Sequence, residues 1–137
     1  SAQYVLDTVN NNRTTALDGG TFRLNAGSAT AFGIQIGTGT TPVTRTDYKI
    51  ETQVTTNVVH SAPTFELLNP TADNWHILIH RGFLNNTGSQ LDITEVALAC
   101  GYLPSGFSEQ YMAIDRTLYD VSFANSELKT ITYKIQI

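Results

Sequence analysis

The clearest hydrophobic pattern lies at the C-terminal end, where Ile131, Tyr133, Ile135 and Ile137 alternate with Thr130, Thr132, Lys134 and Gln136. Strand side chains point alternately to opposite faces, so a period of two puts one face in a core and leaves the other in water. Ala31–Ile36 reads the same way, with Phe32, Ile34 and Ile36 on one side, and Thr21–Leu24 is a short strand between turns at Gly19-Gly20 and Asn25–Ser28. From Asp47 to Asn57, Ile50, Thr52, Val54 and Thr56 alternate with Glu51, Gln53, Thr55 and Asn57, which predicts a long half-buried strand. The segment Thr64–Asn69, bracketed by Pro63 and Pro70, fits either a strand or a single helical turn. Trp75–Leu84 is the most apolar stretch, with Ile77, Ile79 and Phe83 on one face and His76, Leu78, His80 and Leu84 on the other. It reads as a central strand covered on both faces, with Trp75 in the core.

Asn85-Asn86-Thr87-Gly88 supplies turn chemistry, and the strand after it is expected to form a hairpin-like pair with Trp75–Leu84. Leu91 and Ile93 fall on one side of that strand and Val96 and Leu98 on the other, so the alternation changes phase around Thr94 and Glu95, as at a bulge. A carboxylate between apolar neighbours needs a partner, because an unpaired buried charge costs several kcal/mol. Arg116, also close to apolar strand residues, is the expected partner, and Glu95 and Arg116 are read as a structural ion pair. Gly101–Ser108 (GYLPSGFS) reads as a projecting loop, and Tyr111–Asp115 and Val121–Phe123 as two further strands. Eight or nine strands at short spacing, without a helical period, predict an all-β chain: an antiparallel β-sandwich, jelly-roll-like, in a single domain. Residues 1–12 are an N-terminal arm or first strand, and 13–137 the sandwich.

Composition narrows the function. The 137 residues are 41% hydrophobic and only 15% charged, enough for a core and a neutral polar surface. A net charge of −4 with scattered Lys and Arg argues against nucleic acid or an anionic membrane as partner. No apolar run is long enough to span a bilayer, and the N-terminus lacks the regions of a signal peptide. The single cysteine, Cys100, excludes an internal disulfide and reads as a buried, inert thiol.

The search for chemistry is mostly negative. Gly37–Pro42 lacks the Gly-Lys-Ser/Thr ending of a phosphate loop and reads as a β connection. His76 and His80 share a strand face, with Asp73 and His60 near in sequence, but no third ligand converges from the pattern. Asp115 and Asp120 flank Arg116 and read as solvated charges. No catalytic residue, metal or cofactor is expected, and the chain reads as a protein that is not an enzyme.

Three blocks, GIQIGTGTTPVTRTDYKIETQV (Gly33–Val54), HRGFLNNTGSQLDITEVALAC (His80–Cys100) and MAIDRTLYDVSFANSELKTITYKIQI (Met112–Ile137), together resemble small structural proteins of tailed-bacteriophage virions. The resemblance implies a virion β-sandwich, often oligomeric, used as capsid decoration or as part of a fibre. The expectation that follows is an auxiliary or decoration protein on the outer capsid surface, a homotrimer bound to the major capsid protein. Tyr4, Val5 and Leu6 of the arm and Tyr102, Leu103 and Phe107 of the loop are the expected contacts. The alternative is a head- or tail-fibre module recognising host surface glycans, with Trp75, Tyr102, Phe107 and Tyr111 stacking on sugar rings.

Overall fold

Two long strands, one rich in isoleucine and the other in alanine, valine and leucine, sit at the centre of two facing sheets. The computed structural model describes residues 3–6, 12–15, 21–71, 74–103 and 108–136. Among the described residues there is no helix, and the strands are β1 (Gln3–Leu6), β2 (Asn12–Thr15), β3 (Thr21–Arg23), β4 (Gly33–Gly37), β5 (Val58–His60), β6 (Thr64–Thr71), β7 (Asn74–Asn85), β8 (Leu91–Leu103), β9 (Gln110–Phe123) and β10 (Leu128–Gln136). All pairing is antiparallel, and β1 pairs with β2 as a separate two-stranded unit.

In one sheet β8 runs beside β9 along nearly its whole length. Tyr102 and Gly101 pair with β9 and with β3 at once, and Glu95 to Ala99 pair with β9 and with β4. A strand has only two edges, so β3 and β4 lie end to end along the edge of β8 that β9 leaves free. The second sheet repeats the plan: β10 follows β7 on one edge, and β5 and β6 share the other. Ile34, Ile36, Val96, Leu98 and Phe123 from the first sheet close on Val58, Ile79, Phe83 and Ile131 from the second, which makes the fold a β-sandwich.

β7 and β8 do not form the hairpin that the turn chemistry suggested; they belong to opposite sheets. Asn85 explains why. Its side chain is fully buried, and Nδ2 donates to the carbonyls of Ser89 (2.7 Å), Phe123 (3.2 Å) and Ala124 (3.1 Å). Oδ1 accepts from the Thr87 amide and hydroxyl, and the Asn85 main chain bonds Glu127 and Ser126. One amide thereby fastens both chain crossings, Asn86–Gln90 from β7 to β8 and Ala124–Glu127 from β9 to β10.

Three further expectations change. Residues 47–57 are not a strand: they touch β4 through a single bridge, Gly37 to Gln53, made by the Val54 amide on Ile36 and the Thr38 amide on Thr52, and the Glu51 and Thr52 amides are engaged instead by a side chain described below. The two strands expected between Tyr111 and Phe123 are one, β9, bent by register shifts opposite Ile93/Glu95 and Leu98/Ala99. The first shift coincides with the change of phase in the β8 pattern. Finally, Tyr102 is not on a projecting loop; β8 continues to Leu103, and Tyr102 is buried at 1% exposure against Cys100, Met112 and Leu24.

Candidate functional site

Glu95 and Arg116 meet inside the protein. Arg116 Nε donates to Glu95 Oε2 at 2.7 Å, and both side chains are buried. Around them the loop after β4 is wound inward: Glu95 Oε1 accepts from the amides of Gly39 (2.9 Å) and Thr52 (2.7 Å), and Oε2 from the amide of Glu51 (3.1 Å). Arg116 reaches on to Asp47 Oδ2 through Nη1 (3.0 Å) and to the Thr41 carbonyl through Nη2 (3.0 Å). Burial alone would raise the Glu95 pKa, but the amides and Arg116 more than offset it and leave it below the usual glutamate value. Burial likewise opposes the charge on Arg116, whose pKa is nonetheless raised by its bonds to Glu95 and Asp47.

This arrangement explains the Gly-Thr-Gly sequence better than phosphate chemistry does. A Cβ on Gly37 would sit 2.5 Å from Glu95 Oε1 and from the Thr52 carbonyl, and one on Gly39 would sit 2.6 Å from the same carboxylate oxygen and from Glu51 Cβ. Both positions must lack a side chain for the loop to close over Glu95.

A second buried cation escaped the sequence reading. Arg81 lies among core residues of β7 at 1% exposure. Nε donates to the Ser61 carbonyl (2.9 Å), Nη1 to Phe32 (3.1 Å) and Ile34 (3.0 Å), and Nη2 to Gly27 (3.2 Å) and Ala29. These bonds use all the donors of a guanidinium, and every acceptor is main chain. Burial lowers its pKa. Gly33, at φ +81, passes so close that a Cβ there would be 3.2 Å from Arg81 Nη1. The signal was present in the pattern, since position 81 falls on the same face as Ile79 and Phe83.

His60, 4% exposed, shares the Phe83 ring with Arg81: its imidazole is edge-on to that ring at 5.0 Å between centroids, the guanidinium lies 5.8 Å from the ring centre, and Arg81 Nε bonds the carbonyl of Ser61, the next residue along. Neither ring nitrogen has a hydrogen-bond partner. The other two histidines are placed differently. His76 is buried, whereas His80 lies on the outward face, with Nδ1 2.8 Å from Thr132 Oγ1 and Nε2 2.6 Å from Glu66 Oε2. A hydroxyl, imidazole and carboxylate in line can activate a nucleophile. Here they join three neighbouring strands across an outward sheet face, and the arrangement acts as cross-strand bonding. Among the described residues no three His, Cys, Asp or Glu side chains converge as metal ligands. The Cys100 thiol is buried, and its pKa is raised by that burial.

Of the expected contact residues, Leu103 is exposed and Tyr102 is core. Phe107 and the side chains of Tyr4, Val5 and Leu6 lie outside the described residues. Further exposed apolar side chains lie on β9 (Ile114, Leu118, Tyr119), on β10 (Leu128) and, on a core-facing side, on β6 and β7. Phe65 pairs with Ile79 and Leu67 with Ile77, so these side chains share the core-facing side of the sheet. Yet Phe65 is 43%, Leu67 62% and Trp75 42% exposed. The inner face of this sheet runs past what the other sheet covers, which is why Trp75, expected in the core, is half in solvent. On the opposite edge an open groove of about 420 Å³ lies between β9 and β10, with Val96, Ile131, Tyr119 and Tyr133 among its lining residues.

The fold and these sites define a β-sandwich whose loops are fixed by buried arginines. No family model matches the chain, and no curated protein or solved structure is significantly similar to it.

Proposed function

We propose that the chain is a non-enzymatic structural protein of a tailed-phage virion, an auxiliary or decoration protein on the outer capsid surface. It acts as a homotrimer bound to the major capsid protein. The observation that carries this reading is the apolar overhang of Phe65, Leu67 and Trp75, a core-facing side left exposed among the described residues. Exposed apolar patches of this kind mark association sites. Aromatic side chains at the centre of an interface supply much of its binding energy. The inward-wound loop at Glu95 and the main-chain grip of Arg81 support the same reading, because a particle component gains from loops that hold their shape.

Trp75 also favours a second reading, a fibre module for host surface glycans, since an exposed indole is a stacking platform for a sugar ring. A cryo-EM map of the source particle separates the two. Repeated threefold clusters on the outer head surface, with Phe65, Leu67 and Trp75 in the contact, are the result expected for decoration. Density confined to a fibre or tail tip would overturn it in favour of glycan recognition.

A further inference from the structure

We propose that His60 and Arg81 form an acid-sensitive latch: protonation of His60 places a second cation beside Arg81 and releases β5 from the edge of β7. The geometry supplies both parts of the device. His60 is buried with neither ring nitrogen bonded, so it is held as neutral imidazole. From β7 it is faced by Arg81 and by the ring of Phe83, and from the loop before β5 by the main chain of Val54, which lies outside good hydrogen-bond geometry and favours the protonated ring less than burial and Arg81 oppose it. Arg81 is bonded to carbonyls alone, and among the described residues no carboxylate pairs with either side chain. An added proton therefore meets a like charge in a poorly hydrated place.

The element that can relieve the conflict is β5. It is three residues long and lies on a sheet edge, held by its register with Phe83–Asn85, by Val58 in the core, by the Ser61 amide and hydroxyl on Gly82, by the Asn86 amide on Asn57 (2.9 Å) and by Arg81 Nε on the Ser61 carbonyl, the bond that a second cation beside Arg81 disturbs first. Opening it hydrates the imidazole and leaves the rest of the sandwich paired.

Burial, and then the charge of Arg81, hold the His60 pKa down from 6.5 to about 4. The unfolded or opened chain thus binds the proton first. Stability from neutral His60 is complete above pH 6.5 and is lost as the pH falls towards 4. Linkage puts the loss between pH 7.5 and pH 5 at roughly 30-fold in the equilibrium against the open or unfolded form.

The test is amide hydrogen exchange at pH 7.5 and pH 5, corrected for intrinsic rates, together with an NMR titration of the histidine ring signals. The expected result is faster exchange confined to Val58–Ser61 and their partners in Phe83–Asn86, with one histidine titrating below pH 5. In His60→Phe the acid-induced exchange should disappear. A His60 titration near pH 6.5 in the unaltered protein overturns the proposal even if that variant fails to fold. So does acid-induced opening that persists in a folded His60→Phe.

Discussion

Arg81 and Arg116 are both buried in the sandwich, and they are neutralised in opposite ways. Arg116 faces a full negative charge on Glu95 and a second on Asp47, so its energetics are those of a buried ion pair. Arg81 hydrogen-bonds only to carbonyls, contributed by the turn at residues 27–29, by Phe32 and Ile34 at the start of β4 and by Ser61 just after β5, and its guanidinium lies 5.8 Å from the centre of the Phe83 ring. An ion pair can be removed as a unit, because each charge is the reason for the other. Main-chain carbonyls cannot be removed at all. The two sites therefore differ in degree of repair: at Arg116 the two charges can be removed together, leaving the Gly39, Glu51 and Thr52 amides and the Thr41 carbonyl to find other partners, whereas at Arg81 no second substitution offsets any part of the loss.

The largest expected effect tests that asymmetry directly. Arg81→Met should lower stability by about 4–5 kcal/mol, since buried acceptors lose their donors together and the turn loses its anchor. Arg81→Lys should restore little, because an ammonium is a point donor that cannot span the same carbonyls. Urea denaturation measures both, and an Arg81→Met loss under 1 kcal/mol would mean that the carbonyls find water instead.

Next in size, Glu95→Ala should cost about 2–4 kcal/mol, as expected for a cation left buried and for amides without an acceptor. An unchanged melting temperature would end the ion-pair reading. The sharper version is a double-mutant cycle: Glu95→Leu with Arg116→Met should lose about 2 kcal/mol less than the two single changes added together. Strict additivity in that cycle would remove the distinction between the two arginines.

Gly39→Ala isolates the loop from the charges. It should cost about 2 kcal/mol, because the new methyl group displaces the Glu95 carboxylate from the amides it binds. The counterpart at Gly27, which has positive φ but open space for a Cβ, should cost only about 1 kcal/mol of backbone strain. The smallest effect belongs to the apolar overhang. Leu67→Ser should change the stability of the isolated chain by less than about 0.5 kcal/mol, the usual range for exposed positions. Sedimentation should nevertheless show weaker self-association, and equal association in the two proteins would remove this face from the interface.

The sequence alone determined the all-β class and most of the strands. A period of two survives single-sequence reading where apolar and polar residues alternate, as in β7 and β10, and in β4 even though its second face, with Gln35, is buried too rather than left in water. It also determined that Glu95 needs a partner, since burial of a charge is a local fact, and Arg116 stood among similar neighbours. What only the tertiary structure decided is where chain direction and long-range bonding compete with the local pattern. The alternation from Asp47 to Asn57 holds for about ten residues, though its face is only half apolar, yet its Glu51 and Thr52 amides go to a carboxylate on another strand, and no ladder forms. Asn85 carries turn chemistry that fits a hairpin, but its buried amide bonds Phe123 and Ala124, which lie far along the chain, and so sends β8 to the opposite sheet. Arg81 occupied a core-facing position in plain view. Only folding brought the carbonyls of residues 27–34 and 61 around it, because main-chain acceptors carry no mark in the sequence. Side-chain period is a property of neighbours along the chain; the partner of a buried polar group is a property of the assembled core.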